Sequence, residues 1–294
     1  MRVLISIPAY NEEGTIGDVI DEIHGVMRKE KYKYDIAVID DGSKDQTAKI
    51  SKVKGAKVIQ HPQNYGLAEA FRTELKNFLE NKYDIFVHID ADGQYQAKDI
   101  PRLIAEVEKG YDLVLGDRFS GGIEEMAFLK KLGNRAFSRV ISKIIRYKIN
   151  DCQTGFRAFN RKTASIRIRS THTYTQEQVI RAVQEKLHIK EIPTYFRKRN
   201  DESRLLKNPF EYAWKAWINI LRIYRDYDPL KFFGKIGFSL IAIGFLIGCW
   251  LVYLFLTTGK VGHLPLAIAT VMLVVMGIQL IVFGFMADMK KEVE

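Results

Sequence analysis

Asp90 and Asp92 stand one residue apart in the stretch His88-Ile89-Asp90-Ala91-Asp92-Gly93-Gln94. Two carboxylates so close make a poor general acid–base pair, because like charges resist joint ionisation. They make a good seat for a hard divalent cation, which takes oxygen ligands and can bridge to substrate phosphates. The competing account is a polar turn that caps the helix beginning near Lys98. Ahead of the pair runs Tyr83-Asp84-Ile85-Phe86-Val87, an apolar segment of strand type. The carboxylates therefore sit where a strand runs out into a loop, the edge at which open α/β sheets bind ligands.

Further strands of the same kind are predicted over residues 3–7, 36–39, 57–59 and 112–116, and 85–89 completes the set. Apolar residues recur at helical spacing between them, as at Ile16, Val19, Ile20 and Ile23. Alternating strands and helices imply right-handed crossovers and a largely parallel sheet. The strands are followed by polar loops: Pro8-Ala9-Tyr10-Asn11-Glu12-Glu13, Asp40-Asp41-Gly42-Ser43, Asn64-Tyr65-Gly66 and Gly116-Asp117-Arg118. Capping chemistry explains any one such loop. Their repetition along one edge points to a nucleotide-type site.

Residues 128–147 form a basic amphipathic helix, with Lys130, Lys131, Arg135, Arg139, Lys143 and Arg146 beside Leu132, Phe137 and Ile141. It is either a solvated face or a surface for lipid headgroups and a lipid phosphate. A loop is expected over 151–157, a helix carrying Glu177 over 174–187, and a strand over 189–196 whose Pro193 favours an edge. In 209–233, Phe210, Trp214, Trp217, Ile218, Leu221 and Tyr224 share a helical stripe against Lys215, Arg222 and Arg225, the composition of an interfacial helix.

Residues 236–258 and 264–287 are each long and apolar enough to reach across roughly 30 Å of hydrocarbon. Lys231 and Lys235 precede the first span, and Lys290 and Lys291 follow the second. The positive-inside rule then places both termini and the catalytic domain in the cytoplasm. The exposed hairpin is also a surface through which copies of the chain could form a homo-oligomer. The expected organisation is a catalytic domain over 1–207, an interfacial region over 208–233 and a membrane hairpin over 234–294. The formal charge of +10 suits a phosphorylated substrate or an anionic membrane. Nucleic acid is disfavoured for want of a binding motif. Two cysteines, Cys152 and Cys249, make no disulfide framework, and the first strand is too short for a signal-peptide core.

Taken in order, the Pro8–Glu13, Asp40–Ser43, Asn64–Gly66, Asp90–Gln94, Gly116–Phe119 and Gln153–Arg157 motifs resemble those of glycosyltransferase family 2. Over about the first 230 residues the chain is similar to polyprenyl-phosphate glycosyltransferases of the dolichyl-phosphate mannose or glucose synthase type. The tail resembles that group's two-helix anchor. The resemblance implies a GT-A fold and inverting transfer from a nucleotide sugar to polyprenyl (dolichyl) phosphate. It implies that Pro8, Tyr10, Glu12 and Asp40 or Asp41 line base and ribose, with Asp90 beside the diphosphate. Asp90, Asp92 and Gln94 would hold Mg²⁺ or Mn²⁺. Arg118 would face the acceptor phosphate, with Lys131, Arg135 and Ser138 as further candidates, and Arg204 would lie on a loop near the phosphates. Gly93 stands where many relatives carry leucine and Asp117 where many carry serine. These departures from the mannose-synthase pattern favour a UDP-sugar over GDP-mannose.

Two chemistries stay open. A sugar-hydroxyl acceptor must lose a proton, and Glu177 is then the candidate base. A lipid-phosphate acceptor is already an oxyanion, so the site need only align and neutralise it. The basic surface and the membrane segments fit the second better. A non-catalytic membrane scaffold is the remaining alternative.

Overall fold

The computed structural model describes residues 1–168, 174–198, 209–260 and 263–293. They fall into two compact units, Met1–Pro209 and Phe210–Glu294. In the first unit the elements run β1 (Arg2–Ala9), α1 (Ile16–Met27), β2 (Lys33–Asp40), α2 (Thr47–Val53), β3 (Lys57–Gln60), α3 (Leu67–Glu80), β4 (Ile85–His88), α4 (Ile100–Glu108), β5 (Leu113–Asp117), α5 (Arg118–Gly121), α6 (Phe128–Ile145), β6 (Arg157–Asn160), α7 (Arg161–Ala164), α8 (Tyr174–Gln184) and β7 (Ile189–Pro193). The strands form one sheet in the order β3-β2-β1-β4-β6-β5-β7.

The central strands are buried on both faces, which is why they read as unbroken apolar runs. Val3, Leu4, Ile5 and Ile7 of β1 and Ala37, Val38 and Ile39 of β2 are fully buried. Ile16, Val19, Ile20, Ile23 and Met27 of α1 bury a single stripe, as do Ile100, Leu103, Ile104 and Val107 of α4. All strands are parallel except β6, which pairs antiparallel with both β4 and β5. The sequence pattern does not reveal this strand. Arg157-Ala158-Phe159-Asn160 is only four residues long and opens on an arginine. At the other end β7 takes the edge position that Pro193 favours. It stops at Pro193, and Phe196 makes only isolated bridges to Tyr95 and Ile123.

The second unit holds α9 (Pro209–Tyr227), α10 (Pro229–Thr258) and α11 (Leu264–Val293). The single helix expected through residue 233 is divided at Asp228. Its side chain accepts from the Lys231 amide, and Pro229 supplies the first residue of α10, where its missing N–H leaves no orphan. Trp217 of the expected apolar stripe is exposed. The Phe210 and Trp214 side chains lie outside the described residues. Both α10 and α11 are long and apolar enough to cross a membrane, and little of either is buried within the protein.

The two long helices meet at glycines. A Cβ on Gly237 would lie 2.5 Å from the Gly277 carbonyl oxygen, and one on Gly277 would lie 2.6 Å from the Gly237 oxygen. Such backbone approach is open only to small residues and is a common way for membrane helices to pack. Gly237→Leu should lower the detergent-solubilised protein's resistance to thermal unfolding, by about 1–3 kcal/mol of overpacking. Gly234→Leu is the control, because a Cβ there meets nothing within 4 Å. Equal melting of the two variants would show that the glycine contact does not hold the hairpin.

Candidate active site

The register brings the loops together. Ala9, Asp40 and Gln60 are neighbours at the ends of β1, β2 and β3. Asp117 and Pro193 are neighbours at the ends of β5 and β7. Because β6 runs backwards, it is the loop before it that reaches this edge, and His88 and Leu115 both pair with Arg157. The loops after β1 and β2 are joined by hydrogen bonds. The Asn11 amide donates to Ser43 Oγ at 2.9 Å, the Lys44 amide to Asn11 Oδ1 at 2.8 Å, and the Glu12 amide to Thr47 Oγ1 at 2.9 Å. Beside them opens a pocket of about 400 Å³ lined by Tyr10, Ser43, Lys44, Gln60 and His61 among others.

Of the residues expected to line base and ribose, Tyr10 reaches that pocket and Glu12 lies half-buried in the adjoining loop. Pro8 is buried within β1. Asp40 and Asp41 have different work. Asp40 is wholly buried and accepts from the Ser43 amide (3.0 Å) and Gln60 Nε2 (2.9 Å). Asp41 accepts from the Tyr65 and Gly66 amides (2.9 and 2.8 Å) and meets His61 Nδ1 at 2.7 Å. Both carboxylates hold residues that line the pocket, Asp40 through Ser43 and Gln60 and Asp41 through His61. Arg204 lies outside the described residues.

Asp90, Asp92 and Gln94 follow β4 in one tight loop. Asp92 Oδ1 accepts from the Gln94 amide at 3.1 Å, and Gln94 Nε2 donates to the Arg197 carbonyl at 3.1 Å. The Asp90 side chain keeps 35% of its surface open. Among the described residues, no three His, Cys, Asp or Glu side chains converge as a self-sufficient metal cage. Behind Asp90 lie groups that sequence reasoning passed over. His88 is fully buried, with Nδ1 2.9 Å from Glu74 Oε2 and Nε2 2.7 Å from the Tyr174 hydroxyl. Burial alone would lower the His88 pKa, but the Glu74 and Asp90 carboxylates override it and raise it to about 9. A histidine at a strand end was the visible signal; its partner lies on another element.

Arg118 is buried and forked onto Asp151, with Nε–Oδ2 at 2.6 Å and Nη2–Oδ1 at 2.8 Å. Asp151 is held in turn by the loop around it, whose amides at Asn150 and Asp151 donate to Glu191. Arg135 of α6 is exposed and sets its guanidinium 5.1 Å from the Phe119 ring, beside Arg118. Lys131 is half-buried one turn earlier. Ser138, a further candidate, is 1% exposed, and its Oγ accepts from the Cys152 amide at 3.3 Å. Burial pushes the Cys152 thiol up to about 12. Glu177 accepts from Arg181 Nε at 2.7 Å, one helical turn on.

Residues 4–166 match the family described as Glycosyl transferase family 2. The chain belongs to that family. This family 2 glycosyltransferase is 27% identical to glycosyltransferase AglJ of Haloferax volcanii over 98% of its own length and 93% of the relative's. It is 34% identical to a dolichyl-phosphate hexose transferase of the same organism, covering 68% and 84% of the two chains. The same identity relates it to a UDP-N-acetylglucosamine–dolichyl-phosphate N-acetylglucosaminyltransferase of Methanococcus voltae, covering 65% and 84%. Among solved structures, glucosyl-3-phosphoglycerate synthase of Mycobacterium tuberculosis with Mn²⁺ and UDP-glucose superposes with a TM-score of 0.56 at 20% identity, covering 74% and 78%. The fold is therefore the GT-A type expected, a mixed and mostly parallel α/β sheet, followed by two apolar C-terminal helices.

Proposed function

We propose that this glycosyltransferase moves a sugar, with inversion, from a nucleotide sugar to a polyprenyl (dolichyl) phosphate at the cytosolic membrane face. A UDP-sugar is favoured over GDP-mannose. The observation that carries this reading is Arg135, an exposed cation seated on Phe119 at the sheet edge that also bears Asp90 and Asp92. Such an edge neutralises an acceptor that brings its own negative charge. The relatives named for dolichyl-phosphate transfer support the same acceptor class, and α10 and α11 supply a reason for the chain to sit on a membrane. Lys231 and Lys235 at the start of α10 support a cytoplasmic catalytic unit.

The donor set fits a hard divalent cation. Asp90 and Asp92 offer carboxylate oxygens, and Gln94, whose nitrogen is committed to Arg197, offers its carbonyl oxygen. With too few protein ligands for a closed cage, Mg²⁺ or Mn²⁺ would complete its shell with diphosphate oxygens. When bound, it would stabilise the departing nucleoside diphosphate. Tyr10 and Glu12 would contact the nucleoside in the pocket whose lining residues Ser43, Gln60 and His61 are held by Asp40 and Asp41. Arg118, aligned by Asp151 through two of its nitrogens, would present Nη1 to the acceptor phosphate together with Arg135 and Lys131.

The test is transfer of labelled sugar from a panel of UDP- and GDP-sugars to polyprenyl phosphate in membranes with Mn²⁺ or Mg²⁺. A chloroform-soluble product from one donor supports the reading. Label that stays in water overturns it. Glu177→Gln separates the acceptor classes. With a phosphate acceptor the variant should keep turnover within severalfold, since no proton needs removal. A hydroxyl acceptor using Glu177 as base would lose roughly 10²–10⁴-fold.

A further inference from the structure

The buried face of α3 carries one carboxylate, Glu74, among Phe71, Leu75 and Phe78. It is wholly buried, and its Oε1 has no hydrogen-bond partner among the described residues. A buried carboxylate is costly unless something compensates it. Its Oε2 is spent on His88 Nδ1 at 2.9 Å. His88 is the last residue of β4 and as deeply buried. Its Nε2 lies 2.7 Å from the Tyr174 hydroxyl and 3.5 Å from Asp90 Oδ1. Tyr174 is held by stacking on Phe71 of α3, with ring centroids 3.9 Å apart.

The other flank of Asp90 is backbone. A Cβ on Gly155 would lie 2.7 Å from Asp90 Oδ2 and 2.8 Å from Oδ1, so the chain there passes directly against the carboxylate. That passage is fixed by Arg157, the strand partner of His88, which is fully buried and donates to the Thr154 carbonyl. Asp90 is thus gripped between an imidazole anchored on α3 and a glycine anchored by β6. Apolar side chains would fill the same space without desolvating a carboxylate, an imidazole and a guanidinium, so packing alone does not account for the cluster.

We propose that Glu74 and His88 are a positioning pair that sets the Asp90 carboxylate for the divalent cation, with Tyr174 holding the imidazole in place. The proposal rests on the reading that Asp90 and Asp92 hold that cation. Groups behind a metal ligand act by fixing its direction, and their loss weakens metal binding by about 10–100-fold. The imidazole works from behind the carboxylate and need not touch the metal or the sugar.

The experiment uses the full-length protein in detergent and titrates Mn²⁺ by electron paramagnetic resonance at saturating UDP. Metal-free UDP binding and thermal unfolding are measured on the same samples. Glu74→Gln and His88→Gln should weaken Mn²⁺ binding by about 10–100-fold and leave metal-free UDP affinity unchanged. Tyr174→Phe should move it less, in the same direction. A structural defect would lower both affinities together. If His88→Gln does not fold, Glu74→Gln and Tyr174→Phe decide. Folded variants that bind Mn²⁺ within twofold of wild type overturn the proposal. Asp92→Ala distinguishes the two levels: if it loses Mn²⁺ while the positioning variants keep it, the positioning role alone falls. If Asp92→Ala keeps Mn²⁺, the cation reading falls and the positioning role with it.

Discussion

Asp92→Ala should lower sugar transfer by about a thousandfold or more in a protein that folds like the wild type. A divalent cation at a leaving diphosphate is worth several kcal/mol of transition-state charge stabilisation, and each 1.36 kcal/mol is a factor of ten in rate. If Asp92 is one of the cation's few protein ligands, as proposed, its loss removes most of that. The fold has less at stake. Asp92 is half-buried in the loop, and its Oδ1 accepts a hydrogen bond from the Gln94 amide. Such a bond contributes about 1 kcal/mol against the roughly 5–15 kcal/mol that holds a domain together. Circular dichroism and melting temperature should therefore match the wild type while labelled transfer vanishes. Near-normal transfer by Asp92→Ala would remove the cation from the mechanism.

That carboxylate was legible because parallel strands buried on both faces are written as unbroken apolar runs, and the polar residues that end them declare the edge. Ile36 to Ile39 and Ile85 to Val87 gave such runs, and Asp40 and Asp90 the ends. What a given carboxylate does there is a different kind of fact. Asp40 and Asp90 look alike in sequence, yet Asp40 is filled by Ser43 and Gln60, and Asp90 keeps an open face. The difference lies in partners that only the fold brings close. Glu74 and His88 belong to separate elements, as do Arg118 and Asp151, and no local periodicity joins them. Strand β6 was hidden for another reason: four residues opened by a buried arginine carry too little pattern to be read. The division at Asp228 had a local signal, an aspartate before a proline, which the continuous amphipathic stripe outweighed.

The Arg118–Asp151 pair lets structure and chemistry be pulled apart. Asp151 is fully buried and Arg118 is 7% exposed. Asp151→Ala would leave a guanidinium in the interior without its counter-charge, and breaking a buried pair in this way costs about 3–5 kcal/mol. Urea unfolding of the variant should show a loss of that size, a large share of a domain's stability. The cause is the orphaned charge, so replacing both members together, Arg118→Met with Asp151→Leu, should recover most of the loss. A double variant as unstable as Asp151→Ala would locate the cost elsewhere, in the loop hydrogen bonds that Asp151 and Glu191 share. Transfer activity should not follow stability back. If Arg118 presents Nη1 to the acceptor phosphate, the stable double variant still lacks a donor aimed at developing charge, and such a loss is worth about a hundredfold in rate. A double variant that regained both stability and transfer would make Arg118 a structural cation only, and leave acceptor binding to Arg135 and Lys131.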